Sequence, residues 1–161
     1  MAKDKHGKRD HRTGQPEDAI AMLKADHQRV RDLFQAYEAA TEPRAKRELA
    51  EKACVELEIH AQLEEQIFYP TVNEETDEGP ELVKESLKEH QTMKNLIQEL
   101  RDMAFDTDEF DATFQELIRN VEHHVEEEES QMFPLAEEEL LEDMDELREE
   151  MQELKEAITA P

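Results

Sequence analysis

The chain has 161 residues, which suits one domain with a single core, and its wealth of Glu, Leu, Ala and Lys beside three glycines, six prolines and no tryptophan favours helices over strands. A formal net charge of −25 repels phosphate and argues against nucleic acid as a partner; the acidity reads first as a solvated helical surface. No apolar run approaches the roughly 18 residues of a membrane span, and the basic start MAKDKHGKRDHRTG lacks the apolar stretch of a secretory signal.

In chain order, residues 1–15 read as a flexible basic tail. Pro16, Glu17 and Asp18 form a first helical turn, and Ile20, Leu23, Val30, Phe34 and Tyr37 carry helix one to about residue 40. Thr41-Glu42-Pro43 restarts the chain, and helix two runs to Pro70 on a stripe of Ala53, Leu57 and Ile67, with Phe68 beside it. Asn73 to Pro80 reads as a polar loop. Helix three spans about residues 80 to 104, with Val83, Leu87, Met93, Ile97 and Leu100 inward. Asp106 with Glu109 forms a capping box that opens helix four, which runs to about Pro134 with Phe110, Phe114, Leu117 and Val121 inward. A fifth helix from about 136 to 158 repeats Leu140, Met144, Leu147, Met151, Leu154 and Ile158 as a narrow heptad seam. Such a seam either packs on the bundle or makes a homodimer through the C-terminal helix. The fold expected is all-α: an antiparallel up-down-up-down four-helix bundle over 16–136, with an added amphipathic helix over 137–161. Lone Cys54 excludes an intramolecular disulfide and fits a reducing cytoplasm.

The chain repeats itself. Asp26-His27-Gln28 answers to Glu89-His90-Gln91. His60 to Glu65 followed by Phe68-Tyr69-Pro70 answers to His124 to Glu129 followed by Met132-Phe133-Pro134. Two helical hairpins of one design follow each other. His27, His60, Glu64, His90, His124 and Glu128 all continue the apolar stripes of their helices and so point into the core. With short connections, a rise of about 1.5 Å per residue brings the four histidines to a common level. A buried carboxylate costs several kcal/mol unless it is paired or bound to metal. His-x-x-x-Glu sets imidazole and carboxylate one turn apart on one face. Carboxylates can bridge two ions while neutral imidazoles fill terminal positions, a donor set suited to iron, manganese or zinc. A structural polar core is the competing reading.

The pattern H…HxxxE…H…HxxxE over about residues 16 to 136 resembles the hemerythrin-like, HHE cation-binding domain. The resemblance implies a four-helix bundle around two iron ions joined by an oxo or hydroxo bridge. Glu64 and Glu128 match its bridging carboxylates, and His27, His60, His90 and His124 its terminal ligands. Oxygen-carrying hemerythrins have a further histidine where this chain has Lys94, and an aspartate five residues after the last histidine where this chain has Glu128 after four. The chain is therefore similar to the four-histidine branch, whose members handle peroxide, nitric oxide or iron for cluster repair. A small diatomic or peroxide ligand is expected, with an iron-donor protein without turnover as the alternative. His123 is expected at the surface or behind the ligands, and Glu65 and Glu129 face solvent or lie behind them too. Ideal helical spacing turns Tyr69 away from His60, which favours packing at the helix end over a fifth-ligand or redox role. Met22, Met93 and Met132 read as core. No catalytic triad and no phosphate loop is present.

Overall fold

The computed structural model describes residues 18–160, so the expected tail at 1–15, with His6 and His11, and the Pro16-Glu17 turn lie outside the described residues. Helix α1 (Ala19–Ala39) is capped by Asp18, whose carboxylate accepts from the Ala21 N–H at 2.9 Å. Helix α2 (Pro43–Leu63) passes through a π-helical turn at Glu64–Phe68 and continues as α3 (Tyr69–Glu75). Helix α4 (Gly79–Asp102) follows a three-residue turn. Helix α5 (Asp108–Glu127) likewise passes through a π-helical turn at Glu128–Met132 into α6 (Phe133–Glu139). A short 3-10 turn at Leu141–Asp143 then leads to α7 (Met144–Thr159). The described residues are mostly helical and contain no strand.

Neighbouring rods run in opposite senses. Asp26 and Arg29 of α1 meet His60 and Glu56 of α2, so numbers rise on one side as they fall on the other. His27 meets Glu129 while Glu38 meets Gln115, which gives α1 and the fourth rod the same relation.

The prolines expected to end helices two and four do not. In each π-helical turn the next N–H reaches back five residues, Tyr69 to the Glu64 carbonyl and Phe133 to the Glu128 carbonyl. The widened turn accommodates the proline that follows, Pro70 or Pro134, as the first turn of the next helix. The expected loop from Asn73 is therefore helix as far as Glu75. The chain then turns sharply. The Thr76 hydroxyl accepts from the Gly79 N–H at 2.8 Å and donates to the Val72 carbonyl at 2.9 Å. A Cβ on Gly79 would collide with that carbonyl and with the Thr76 hydroxyl, so glycine is required by close approach. Helix four is capped by Thr107, not by Asp106; the Thr107 hydroxyl accepts from Phe110 N–H at 3.1 Å.

The core divides into two apolar clusters with a polar layer between them. One centres on Phe34, Tyr37, Leu57, Ile97, Phe114 and Leu117. The other centres on Leu23, Leu63, Phe68, Val72, Phe133 and Met144. Leu87, expected inward, is 44% exposed, while Ser86 and Glu89 are buried in its stead. Apolar character alone misplaces this turn of α4, where the inward positions carry polar groups that serve the central layer. The heptad seam of the last helix packs on its own chain: Leu140, Met144, Leu147 and Met151 are buried in the second cluster. Among the described residues, no helix is long and apolar enough to cross a membrane.

Phe114 is fully buried and touches Tyr37, with ring centroids 4.3 Å apart, and Phe34 at 5.7 Å. Phe114→Ala is expected to cost about 3–5 kcal/mol in urea unfolding through the cavity it leaves. Its helical content at room temperature should match the parent, because the polar layer is untouched.

Candidate metal centre

Helices α1, α2, α4 and α5 deliver the four histidines to one level, and all six of His27, His60, Glu64, His90, His124 and Glu128 are buried there. The two carboxylates stand between two histidine pairs and divide their oxygens. Glu64 faces His60 Nε2 with Oε2 and His90 Nε2 with Oε1, both at 3.1 Å. Glu128 faces His27 Nε2 with Oε1 at 3.1 Å and His124 Nε2 with Oε2 at 3.3 Å. Two four-atom nests result, one from His27, His60, Glu64 and Glu128, the other from His90, His124 and the same two glutamates. Within each nest the donor atoms lie within 4.8 Å of one another. Separations near 3.1 Å are those of neighbouring ligand atoms around an ion with bonds of about 2.1 Å.

The first nest shows the fit most clearly. His27 Nε2, His60 Nε2, Glu64 Oε2 and Glu128 Oε1 are all buried without a hydrogen-bond partner. One such atom ordinarily costs about 1–3 kcal/mol. Two imidazole nitrogens and two carboxylate oxygens turned toward one point form a nest that a cation would fill. The cluster is able to hold metal.

Each imidazole is oriented from behind. His27 Nδ1 pairs with Glu129 at 2.8 Å, His60 Nδ1 with Asp26 at 2.9 Å, His90 Nδ1 with Glu65 at 2.7 Å and His124 Nδ1 with Glu89 at 2.7 Å. With the proton on Nδ1 donated outward, Nε2 presents its lone pair to the centre. The pairing respects the repeat: Asp26 and Glu89 precede the first histidine of each hairpin, and Glu65 and Glu129 follow each central glutamate. Glu65 and Glu129 had been expected at the surface or behind the ligands and take the second place. Asp26 and Glu89 were missed, although the acid repeated before His27 and His90 was the available signal.

Tyr69 corrects the expectation drawn from ideal spacing. Because the turn at Glu64–Phe68 is π-helical, Tyr69 stands one wide turn above Glu64 and points inward. Ile67, expected in the stripe, is only partly buried, while Phe68 and Tyr69 are buried. The Tyr69 hydroxyl is within reach of both carboxylates and donates its one proton to Glu64, at 2.9 Å, or to Glu128; its oxygen lies 3.3 Å from His90 Nε2 and 3.4 Å from His124 Nε2. It thus adds an oxygen to the second nest. Phe133 holds the equivalent place in the other hairpin and stacks on His27 with ring centroids 5.7 Å apart.

The electrostatics follow from this packing. Burial opposes charge on His60, but the nearby Glu64 carboxylate and the hydrogen bond to Asp26 push it up to about 10. Burial likewise opposes charge on His90 and His124, and their carboxylate partners raise both. Burial alone would raise Glu64, yet His60, His124 and His90 hold it well below the usual carboxylate range. Asp26 is held low against burial by His60, Lys155 and Arg29. Burial and the charges of Glu128 and Glu64 drive Tyr69 well above the usual phenol range, so its hydroxyl keeps its proton. His123 is mostly exposed, and Cys54 is buried with its thiol pushed up to about 12 by that burial.

The sequence pattern described as the Hemerythrin HHE cation binding domain matches residues 18–136. Among curated proteins, the chain is 29% identical over 112 residues to a protein of Nostoc sp. named DNA nickase, covering 70% of this chain and 31% of that protein. It is 25% identical over 119 residues to an uncharacterized hemerythrin-like protein of Schizosaccharomyces pombe, covering 73% and 59%. The chain therefore spans well under two thirds of either relative. Among solved structures, a hemerythrin HHE cation binding domain-containing protein from Mycobacterium kansasii superposes with a TM-score of 0.74 at 22% identity, over 87% of this chain and 86% of that one.

The shifted groups set the pH behaviour of the metal-free chain. His60, raised from 6.5 to about 10, contributes stability that is complete below pH 6.5 and lost as pH climbs through 10. Glu64, lowered from 4.5, contributes stability present above 4.5 and lost on acidification. Chelator-treated protein should therefore resist urea best between about pH 4.5 and 6.5. A midpoint that rises from pH 6 to pH 9.5 would contradict the inward-facing network.

Proposed function

Since the chain belongs to the hemerythrin HHE cation-binding domain family, we propose that it is a non-haem di-iron protein that binds or reduces a small oxidant such as oxygen, peroxide or nitric oxide. The observation that carries this reading is the convergence of the four partnerless buried atoms of His27, His60, Glu64 and Glu128. In it, His27 and His60 on one side and His90 and His124 on the other, with Glu64 and Glu128 between them, would hold the ions. Manganese and zinc suit the same donors; iron is favoured because imidazole with carboxylate then supports redox chemistry. When bound, the metal pair supplies the electrons and the open coordination positions.

The chain's own residues supply the rest. The four Nδ1–carboxylate pairs hold each ring in one tautomer and one rotation, so that the donor atoms stay aimed as charge changes at the centre. A cavity of about 20 Å³ lies against the histidine rings, walled by Val30, Leu57, Met93, Val121 and Val125. That is room for one water-sized molecule, which matches a diatomic or peroxide ligand and excludes larger ones. Its apolar walls keep bulk water from the histidines. Tyr69 keeps its proton on a hydroxyl beside both carboxylates, where it fixes how they turn. The net charge of −25 weighs against nucleic acid as the substrate, and lone Cys54 fits a reducing cytoplasm.

Metal analysis of iron-loaded protein should give two ions per chain. His60→Ala and Glu128→Ala should each lower that number and abolish peroxide consumption. A parent chain that binds no iron, or variants that keep both ions, would sink the reading. Tyr69→Phe should leave the fold intact, since Phe133 fills the same place in the other hairpin. It should weaken one of the two ions by about tenfold in competition with a chelator.

A further inference from the structure

The carboxylates behind the four histidines are not equally neutralised. Glu65 meets Lys94 at 2.9 Å, and Glu129 meets Arg31 at 3.9 Å. Asp26 meets Arg29 and, from α7, Lys155 at 3.4 Å. Glu89 departs from this pattern. Among the described residues no lysine or arginine lies within ion-pair reach of it. Its outer oxygen, Oε2, faces His123 Nε2 at 3.4 Å, while Oε1 is taken by His124 Nδ1 at 2.7 Å. A second carboxylate, Glu127, lies 3.2 Å from the same His123 nitrogen. Where the other three positions have a fixed cation, this one has an imidazole and an extra negative charge.

We propose that Glu89, His123 and Glu127 bind a divalent transition-metal ion at the surface, and that this site captures ions bound for the core. The three donor atoms lie within 4.8 Å of one another. The two measured edges, 3.2 and 3.4 Å, bracket the roughly 3.3 Å expected between ligands of a tetrahedral ion with bonds of about 2.0–2.1 Å. One imidazole with two carboxylates suits zinc, iron(II) or manganese(II). His123 and Glu127 are 63% and 37% exposed at their side chains, so an ion reaches them from solvent and keeps water at its remaining positions. Glu89 is the inner wall of the site and, through its other oxygen, the support of His124. On the far side of Glu127, a cleft of about 90 Å³ is lined by Glu85, Ser86, Glu127, Glu128 and Gln131. Among the described residues, a fixed cation stands beside the carboxylate behind each of the other three histidines, and none stands beside Glu89. The capture role rests on the metal-pair reading above; the surface site does not.

Zinc(II) titrated into chelator-stripped protein by calorimetry should show one more ion per chain in the parent than in the double variant His123→Ala, Glu127→Gln. The variant's affinity at that step should fall about tenfold or more. Both substitutions are at accessible positions, and matching helical content excludes misfolding as the cause. An equal zinc count in parent and variant overturns the site and leaves an ordinary surface pair. A difference of one ion that persists while the six central residues bind none overturns the core reading alone. Stopped-flow iron(II) filling of the core, followed by absorbance, should slow about tenfold in the variant and still end at two ions. An unchanged rate overturns the capture role.

Discussion

Two carboxylates sit at the centre of this protein, Glu64 and Glu128, each almost wholly removed from water. Left alone, either would cost several kcal/mol and would drive its own protonation. The structure answers with layers of alternating charge capacity. Four imidazoles surround the two carboxylates, four further carboxylates stand behind the imidazoles, and Arg29, Lys155, Lys94 and Arg31 stand outside three of those. The outermost pairs are partly exposed and contribute little stability individually. Their effect is to fix which way each inner carboxylate turns, and through it which nitrogen each histidine offers. The bundle's two apolar clusters are clamped above and below this layer, so packing and polarity are set by the same residues.

Much of this was legible in the sequence because the helical period applies to buried polar groups as well as to leucines. His27, His60, His90, His124, Glu64 and Glu128 extend apolar stripes, and the structure brings all six together. The seam of the last helix was equally plain, and its burial against its own bundle settles which surface it covers. What failed was the assumption of an unbroken period. A π-helical turn admits one extra residue, so everything beyond Glu64 is rotated relative to an ideal helix. Tyr69 and Phe68 enter the core where Ile67 was expected, and Pro70 continues a rod instead of ending it. Leu87 failed for a different reason: in the turn before His90, the inward places belong to Ser86 and Glu89. Asp26 and Glu89 were visible only as a repeat, because acids on an acidic chain carry no signal singly. Their role appears once the hairpins face each other.

The C-terminal helix joins the outer layer through one side chain. Lys155 reaches Asp26, which orients His60. A segment that packs as a lid over the second apolar cluster is thereby also an electrostatic neighbour of the centre. The first hairpin receives this extra helix and the second does not, so the internal repeat is sheltered unequally.

The same inequality reaches the centre itself. Phe133 and Tyr69 occupy equivalent places after equivalent π-helical turns, yet one ends in carbon and the other in a hydroxyl. A duplicated scaffold would otherwise present two interchangeable halves. A single phenolic oxygen gives the centre a front and a back: one half ends in a hydroxyl beside the two carboxylates, the other in a hydrocarbon ring against His27.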